Sequence, residues 1–250
     1  MKNQYIADIG DYGKYGLLRY LAKQNIKIGV NWYLTCNDKR SDGSQTKYLY
    51  IPTYEAYDPE LYLKMKELGS LKPEKKEICM VEESGLFPSF SFYHEILKTD
   101  ELPVKEREAA RKQWHEKALE KLKDAELVFA DPDNGLSEEI EIMEKGSQKY
   151  ILPCEIKKYF KRGQNVVYYH HRPRKKGEAW MADKTIMKDL KGAKLLAISA
   201  HRWINRAYIF VVHEDEYEFY CNTIDGFLNS KWGAPEKGKK LPFFALEEIN

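Results

Sequence analysis

The 250-residue sequence has no apolar run long enough to span a bilayer, and its opening MKNQYIADIGDYGK has no signal-like apolar core. It has no excess of one charge. Lys and Arg number 41 and Asp and Glu 39, a net +2 with His neutral. That balance excludes a binder that works by bulk positive charge, though not a local basic groove. Cysteine is scarce: Cys36, Cys79, Cys154 and Cys221 lie far apart with no C-x-x-C pair. Such spacing excludes a zinc knuckle and a secreted disulfide framework, and it fits reduced thiols in the cytoplasm. Repeats and low-complexity linkers are also lacking. What remains is a hydrophobic fraction of 43%, too high for a disordered chain, in a length that suits one large domain. The sequence therefore predicts a soluble globular protein with no membrane partner. Its oligomeric state is unspecified.

Short apolar runs alternate with helical patterns. Leu17, Leu18, Leu21 and Ala22 predict a helix over Tyr12 to Gln24, with Asp11 as its N-cap. Strands are expected at Ile28 to Leu34, Lys47 to Ile51 and Ile78 to Val81. Asp58-Pro59 opens a helix that Gly69 stops. A long charged helix runs from Val104 to Lys123. Leu127 to Ala130 is the clearest strand and ends in Asp131-Pro132-Asp133-Asn134-Gly135. A helix from Pro153 to Lys161 precedes a strand, Asn165 to Tyr169, and another helix is expected from Glu178 to Leu190. Lys194 to Ser199 and Ala207 to Val212 are too close for a helical crossover, so they predict an antiparallel hairpin. The pattern predicts one α/β domain over residues 1–250: a mostly parallel, Rossmann-like sheet of about seven strands, closed by that hairpin.

In open α/β sheets, ligands bind beyond the carboxyl ends of the strands. Asp131, Asp133 and Asn134 stand there, on a loop that Pro132 stiffens. The strand that follows leads into His170, His171, Arg172, Arg174, Lys175 and Lys176. Alternation along a strand lets only one of the two histidines face the site. Arg202, Trp203 and Arg206 lie in the hairpin loop. Basic and aromatic residues interleaved in this way suit a nucleic acid. The candidate catalytic residues are Asp131, Asp133, Asn134, His170 and His171, and the candidate substrate contacts are Arg172, Arg174, Arg202, Trp203 and Arg206.

Val128-Phe129-Ala130-Asp131-Pro132 resembles the fourth motif of adenine-N6 methyltransferases, (D/N)-P-P-(Y/F). Gly10-Asp11-Tyr12-Gly13-Lys14-Tyr15-Gly16-Leu17-Leu18 is similar to the opening helix of ribosomal-RNA adenine methyltransferases of the RlmJ type. Nearly the whole chain also resembles a bacterial family that shares GDYGKYGLLR, GVNWYL, EESGLFP, VFADPDNGL, VVYYHH and W-x-N-R, a resemblance that carries no activity with it. The methyltransferase likeness implies S-adenosylmethionine as cofactor, with Lys14, Asn37, Asp38 and Glu82 near it. It also implies that Asp131 and a backbone carbonyl grip the amino group of a target base. Two departures stand out. The turn Tyr33 to Asp38 has no glycine, and Asp133 replaces the second proline with no aromatic after it. A stacking ring would then have to come from Tyr168, Tyr169 or Trp203.

Pro132-Asp133 followed by Glu155-Ile156-Lys157 also matches a PD-(D/E)-x-K nuclease pattern. There Asp131, Asp133 and Glu155 would hold Mg²⁺ or Mn²⁺ and Lys157 would orient water. Asp131 and Asp133 with His170 or His171 form a second possible metal set. Three readings stand: a methyltransferase-like enzyme on a nucleic acid or nucleotide, a metal-dependent nuclease or phosphodiesterase, and a non-catalytic nucleic-acid-binding module.

Overall fold

The computed structural model describes residues 1–38, 45–171, 190–203 and 205–247. The expected helix Glu178 to Leu190 lies outside these residues but for its last position, and Arg172, Arg174, Lys175 and Lys176 lie outside them as well.

Seven strands make one mixed sheet: β1 (Ile28–Asn31), β2 (Ser91–Tyr93), β3 (Leu127–Ala130), β6 (Asn165–His171), β7 (Ala193–Ala200), β8 (Arg206–His213) and β9 (Phe244–Leu246). The order across the sheet is β2-β1-β3-β6-β8-β7-β9. β2, β1, β3 and β6 are mutually parallel, and β8 is antiparallel to both β6 and β7. β7 therefore runs with the first four strands, and β9 opposes it at the edge. A second small sheet pairs β4 (Gly135–Leu136) with β5 (Tyr150–Ile151).

Alternation along the strands splits the core between two faces. Phe129, Val167, Tyr208 and Phe210 point to one side and join the buried faces of α1 (Ile9–Ala22), α2 (Pro59–Gly69) and α6 (Tyr217–Leu228). Val128, Ala130, Tyr168 and Ile209 point to the other and meet α4 (Val104–Lys121) and α5 (Pro153–Lys161).

Two expected strands are helical turns. Lys47–Tyr50 is a 3₁₀ turn that buries Tyr48 and Leu49 and leaves Tyr50 out, and Pro52 could not extend a ladder. Ile78 caps a single helical turn, α3 (Cys79–Glu82), and Ile78 and Val81 share its buried face. A four-residue apolar run fits either form. β1 is flanked by β2 and β3. Asp11 is not the N-cap of α1. Asp8 is, and its carboxylate accepts from the Asp11 backbone N–H. The start of α1 is hard to read because Gly10, Gly13 and Gly16 dilute its helical character. Those glycines form a row at i, i+3, i+6 that lets the C-terminal segments lie on the helix. A Cβ would sit 2.3 Å from the Arg206 guanidinium carbon at Gly10, 2.6 Å from Phe243 at Gly13 and 2.1 Å from Trp232 at Gly16.

The row makes a counter-intuitive prediction. Alanine in place of a helical glycine ordinarily stabilises by about 1 kcal/mol. Gly16→Ala will instead destabilise by about 1–3 kcal/mol, because the Trp232 indole must move. Urea titration checks this, and an unchanged or higher midpoint contradicts it.

Candidate functional site

After β1 the chain passes to β2 on one side, and it then returns to β3 and β6 on the other. The reversal lies between β1 and β3, and the crevice beyond their carboxyl ends is where such sheets take ligands. Asp131 begins there. Its backbone N–H donates to the Asn31 carbonyl at 3.0 Å, which continues the ladder one residue further.

The Asp131 carboxylate is buried and accepts from Lys14 Nζ at 2.6 Å. Lys14 also donates to Asp11 at 2.8 Å, from one turn earlier in α1. Burial opposes the charge on Lys14, but Asp11 and Asp131 outweigh it and hold the ammonium well above the usual lysine range. Burial pushes the Asp131 carboxyl above its usual value against the pull of Lys14. It does the same to Asp11. Asp133 goes the other way. Burial is outweighed there by the Met1 amine at 2.8 Å, and Lys2 and the Thr35 hydroxyl also favour the carboxylate.

A cavity of about 320 Å³ opens beside this loop. Asp11, Lys14, Asp131 and Tyr208 are its most buried lining, each at most 5% exposed. Asn134, Lys149, Tyr169 and His171 stand at its more open rim. Arg206 lies across Gly10 at 8% exposure. It donates to the Arg202 carbonyl at 3.3 Å and stands 3.5 Å from Asp8. Tyr169 and Tyr208 pair across β6 and β8, with ring centroids 6.2 Å apart.

The other expected residues are placed as follows. His171 lines the cavity. His170 turns away and packs on Gly135, where its Nδ1 accepts from the Leu136 N–H. Gly135 has φ +104° and no room for a Cβ against that ring. Arg202 faces the C-terminal segment: it donates to the Leu241 and Pro242 carbonyls and pairs with Glu236 at 2.6 Å. Trp203 is exposed on the hairpin loop. Asn37 and Asp38 do not line the cavity: they bond Gln4, and Asp38 also pairs with Lys2 at the cavity wall. Glu82 accepts from the Trp32 indole and faces His94. Glu155 takes a bidentate contact from the buried Arg111, at 2.8 and 2.9 Å, and also accepts from Tyr33 and the Leu152 N–H. Lys157 is half-buried on the same helix.

These placements bear on the implied cofactors. The turn after β1 buries Trp32 and Tyr33 completely, and the Met1 amine bonds the Tyr33 and Asp131 carbonyls there. The turn lacks the glycine and the open backbone that S-adenosylmethionine needs, so its residues do not fit that group. For a metal, Lys14 holds Asp131, Met1 and Thr35 hold Asp133, and Arg111 holds Glu155. Among the described residues no three carboxylate, imidazole or thiol groups converge as ligands, so neither metal set is assembled.

Sequence reasoning missed Tyr208, Asp8, Lys2 and Lys149 as cavity residues. Tyr208 reads as an ordinary core residue in AYIFVVH. The triplet spacing of Gly10, Gly13 and Gly16 was the available signal that another segment approaches α1 at the site. No helix among the described residues is long and apolar enough to cross a membrane.

Two stability measurements test this geometry. Lys14→Met leaves two buried carboxylates without their cation, which costs about 3–5 kcal/mol near neutral pH. Both carboxyls then titrate higher folded than unfolded, so the deficit shrinks as pH falls from 8 to 5. Urea titrations at the two pH values check this, and an equal deficit at both contradicts it. Burial holds the His170 imidazole down at about 4 against an ordinary 6.5. The unfolded chain takes up that proton first, so stability is full above pH 6.5 and declines towards pH 4. His170→Gln will flatten this decline in a pH series of thermal melts, and an unchanged slope counts against the burial argument.

Comparison with protein-family models finds no match for the chain, and comparison with curated proteins finds none either.

Proposed function

We propose that the protein is an α/β enzyme acting on a nucleic acid or nucleotide, built on a methyltransferase-like sheet, with the substrate entering the cavity beside Asp131. The observation that carries this reading is the strand order. Parallel β1, β3 and β6 are followed by β8, which runs antiparallel and is inserted before β7. That arrangement is consistent with a Rossmann-like sheet, and the Asp131-Pro132 motif lies at its switch point. The turn after β1 does not fit S-adenosylmethionine, so methyl transfer is not part of the proposed activity.

The chemistry of the lining supports a phosphate-bearing substrate. Arg206 carries a planar donor fork whose hydrogen bonds among the described residues are two long ones, to the Arg202 carbonyl and to Asp8. Lys149 adds a cation at the rim. Asp131 plays a positioning part: its carboxylate and its carbonyl already accept from Lys14 and from the Met1 amine. The carboxylate is the group that the resemblance assigns, together with a backbone carbonyl, to a substrate amino group. The Asp131 carboxylate and carbonyl fix the cations on one wall of the cavity.

Calorimetry with adenosine monophosphate and with a ten-nucleotide oligonucleotide tests the reading. Binding in the micromolar range is expected. Lys149→Ala should weaken oligonucleotide binding and make the slope of log affinity against log salt shallower by about 0.7. Failure of both ligands to bind, or a salt slope that Lys149→Ala leaves unchanged, rejects it.

A further inference from the structure

Two polar atoms of residues that line the cavity are unused by the interactions described so far. The Tyr208 hydroxyl and the second Asp11 carboxylate oxygen, Oδ2, are both buried, and among the described residues neither has a hydrogen-bond partner. A buried polar group left unpaired is unfavourable, so such a pair calls for a ligand with polar groups of its own. Burial holds the Tyr208 phenol well above its ordinary pKa, so it stays a donor. Asp11 Oδ2, on another lining residue, supplies an acceptor, and Arg206 supplies the cation. The cavity, about 320 Å³, is at the small end of the range for ligand sites, about 300–1,000 Å³.

A second feature stands outside the cavity. Trp203 is 67% exposed, and its backbone is held in the left-handed region at φ +68°. A large side chain rarely adopts that conformation. Trp203 is three residues from Arg206, which places the two Cα atoms at most about 11 Å apart. Arg206 also donates to the carbonyl of Arg202, the residue just before Trp203. Arg206 on the cavity wall, the first residue of β8, and the exposed indole are therefore close together at one end of the β7–β8 hairpin. This end is on the side of the sheet where β1, β3 and β6 end, because β7 runs parallel to them.

We propose that the substrate is a single-stranded nucleic acid, with one nucleotide entering the cavity to meet Arg206, Asp11 and Tyr208 and a neighbouring base stacking on Trp203. The inference rests on the reading above and narrows its substrate class. A paired base could not reach Asp11 or Tyr208 without leaving its stack. Stacking on an exposed indole tolerates any base and serves a strand that continues past the cavity.

The test compares three probes on the intact protein: a ten-nucleotide single strand, the duplex of the same sequence, and adenosine monophosphate. Binding is followed by tryptophan fluorescence and by calorimetry. The single strand should bind most tightly and quench fluorescence. Trp203→Ala should weaken it roughly 5- to 150-fold, the usual range for one stacked base, and leave the mononucleotide unchanged. Tyr208→Phe should weaken both. Trp203 is exposed, so its variant tests the claim without threatening the fold. If the mononucleotide binds but Trp203→Ala holds the strand as well as the parent, or if the duplex binds as tightly as the single strand, the inference is overturned and the broader reading stands. If none of the three probes binds, the broader reading fails with it.

Discussion

The shared ion pair at Lys14 is the interaction on which the rest of the site depends. One ammonium, almost dry, bonds Asp11 on its own helix and Asp131 at the end of β3. Burying three charges is unfavourable unless they satisfy one another. Here two carboxylates share one cation, and the first turn of α1 is thereby pinned to the sheet. The glycine row on another face of the same helix lets Arg206, Phe243 and Trp232 lie against it. The helix is thus held at two faces, and the cavity is the space between them.

The same arrangement explains why the acidic residues near the strand ends do not gather a metal. Each has its own cation: Lys14 for Asp131, the Met1 amine for Asp133 and Arg111 for Glu155. The near-zero net charge is therefore not an absence of local field. Opposite charges are fixed beside one another, and Arg206 and Lys149 are left facing the cavity.

Much of the scaffold was legible because periodicity and punctuation agree there. Leu127–Ala130 is apolar on both faces and buried on both faces. Pro59 with its Asp58 cap, Pro153 and the close pair β7 and β8 each follow from local chemistry. The four-residue runs at 47 and 78 did not resolve, because so short a run fits a turn of helix or a strand equally. β2, β9 and α6 passed unread, since β2 and β9 are only three residues long and their pairing depends on distant strands. In the site, the Asp131 loop, Lys14, His171 and Arg206 could be read. Glu155 misled because its partner Arg111 lies on a densely charged helix that looks solvent-facing. Tyr208 stayed hidden because a tyrosine in an apolar strand looks like core, and only the three-dimensional packing shows its hydroxyl unpaired.

The most direct test of the whole account is a crystal structure of the protein grown with a short single-stranded oligonucleotide. The account predicts one nucleotide in the cavity, with its phosphate on Arg206, polar atoms within hydrogen-bond distance of Asp11 and Tyr208, and an adjacent base flat on Trp203. An oligonucleotide bound elsewhere on the surface, with the cavity walls unchanged and Trp203 untouched, would contradict it.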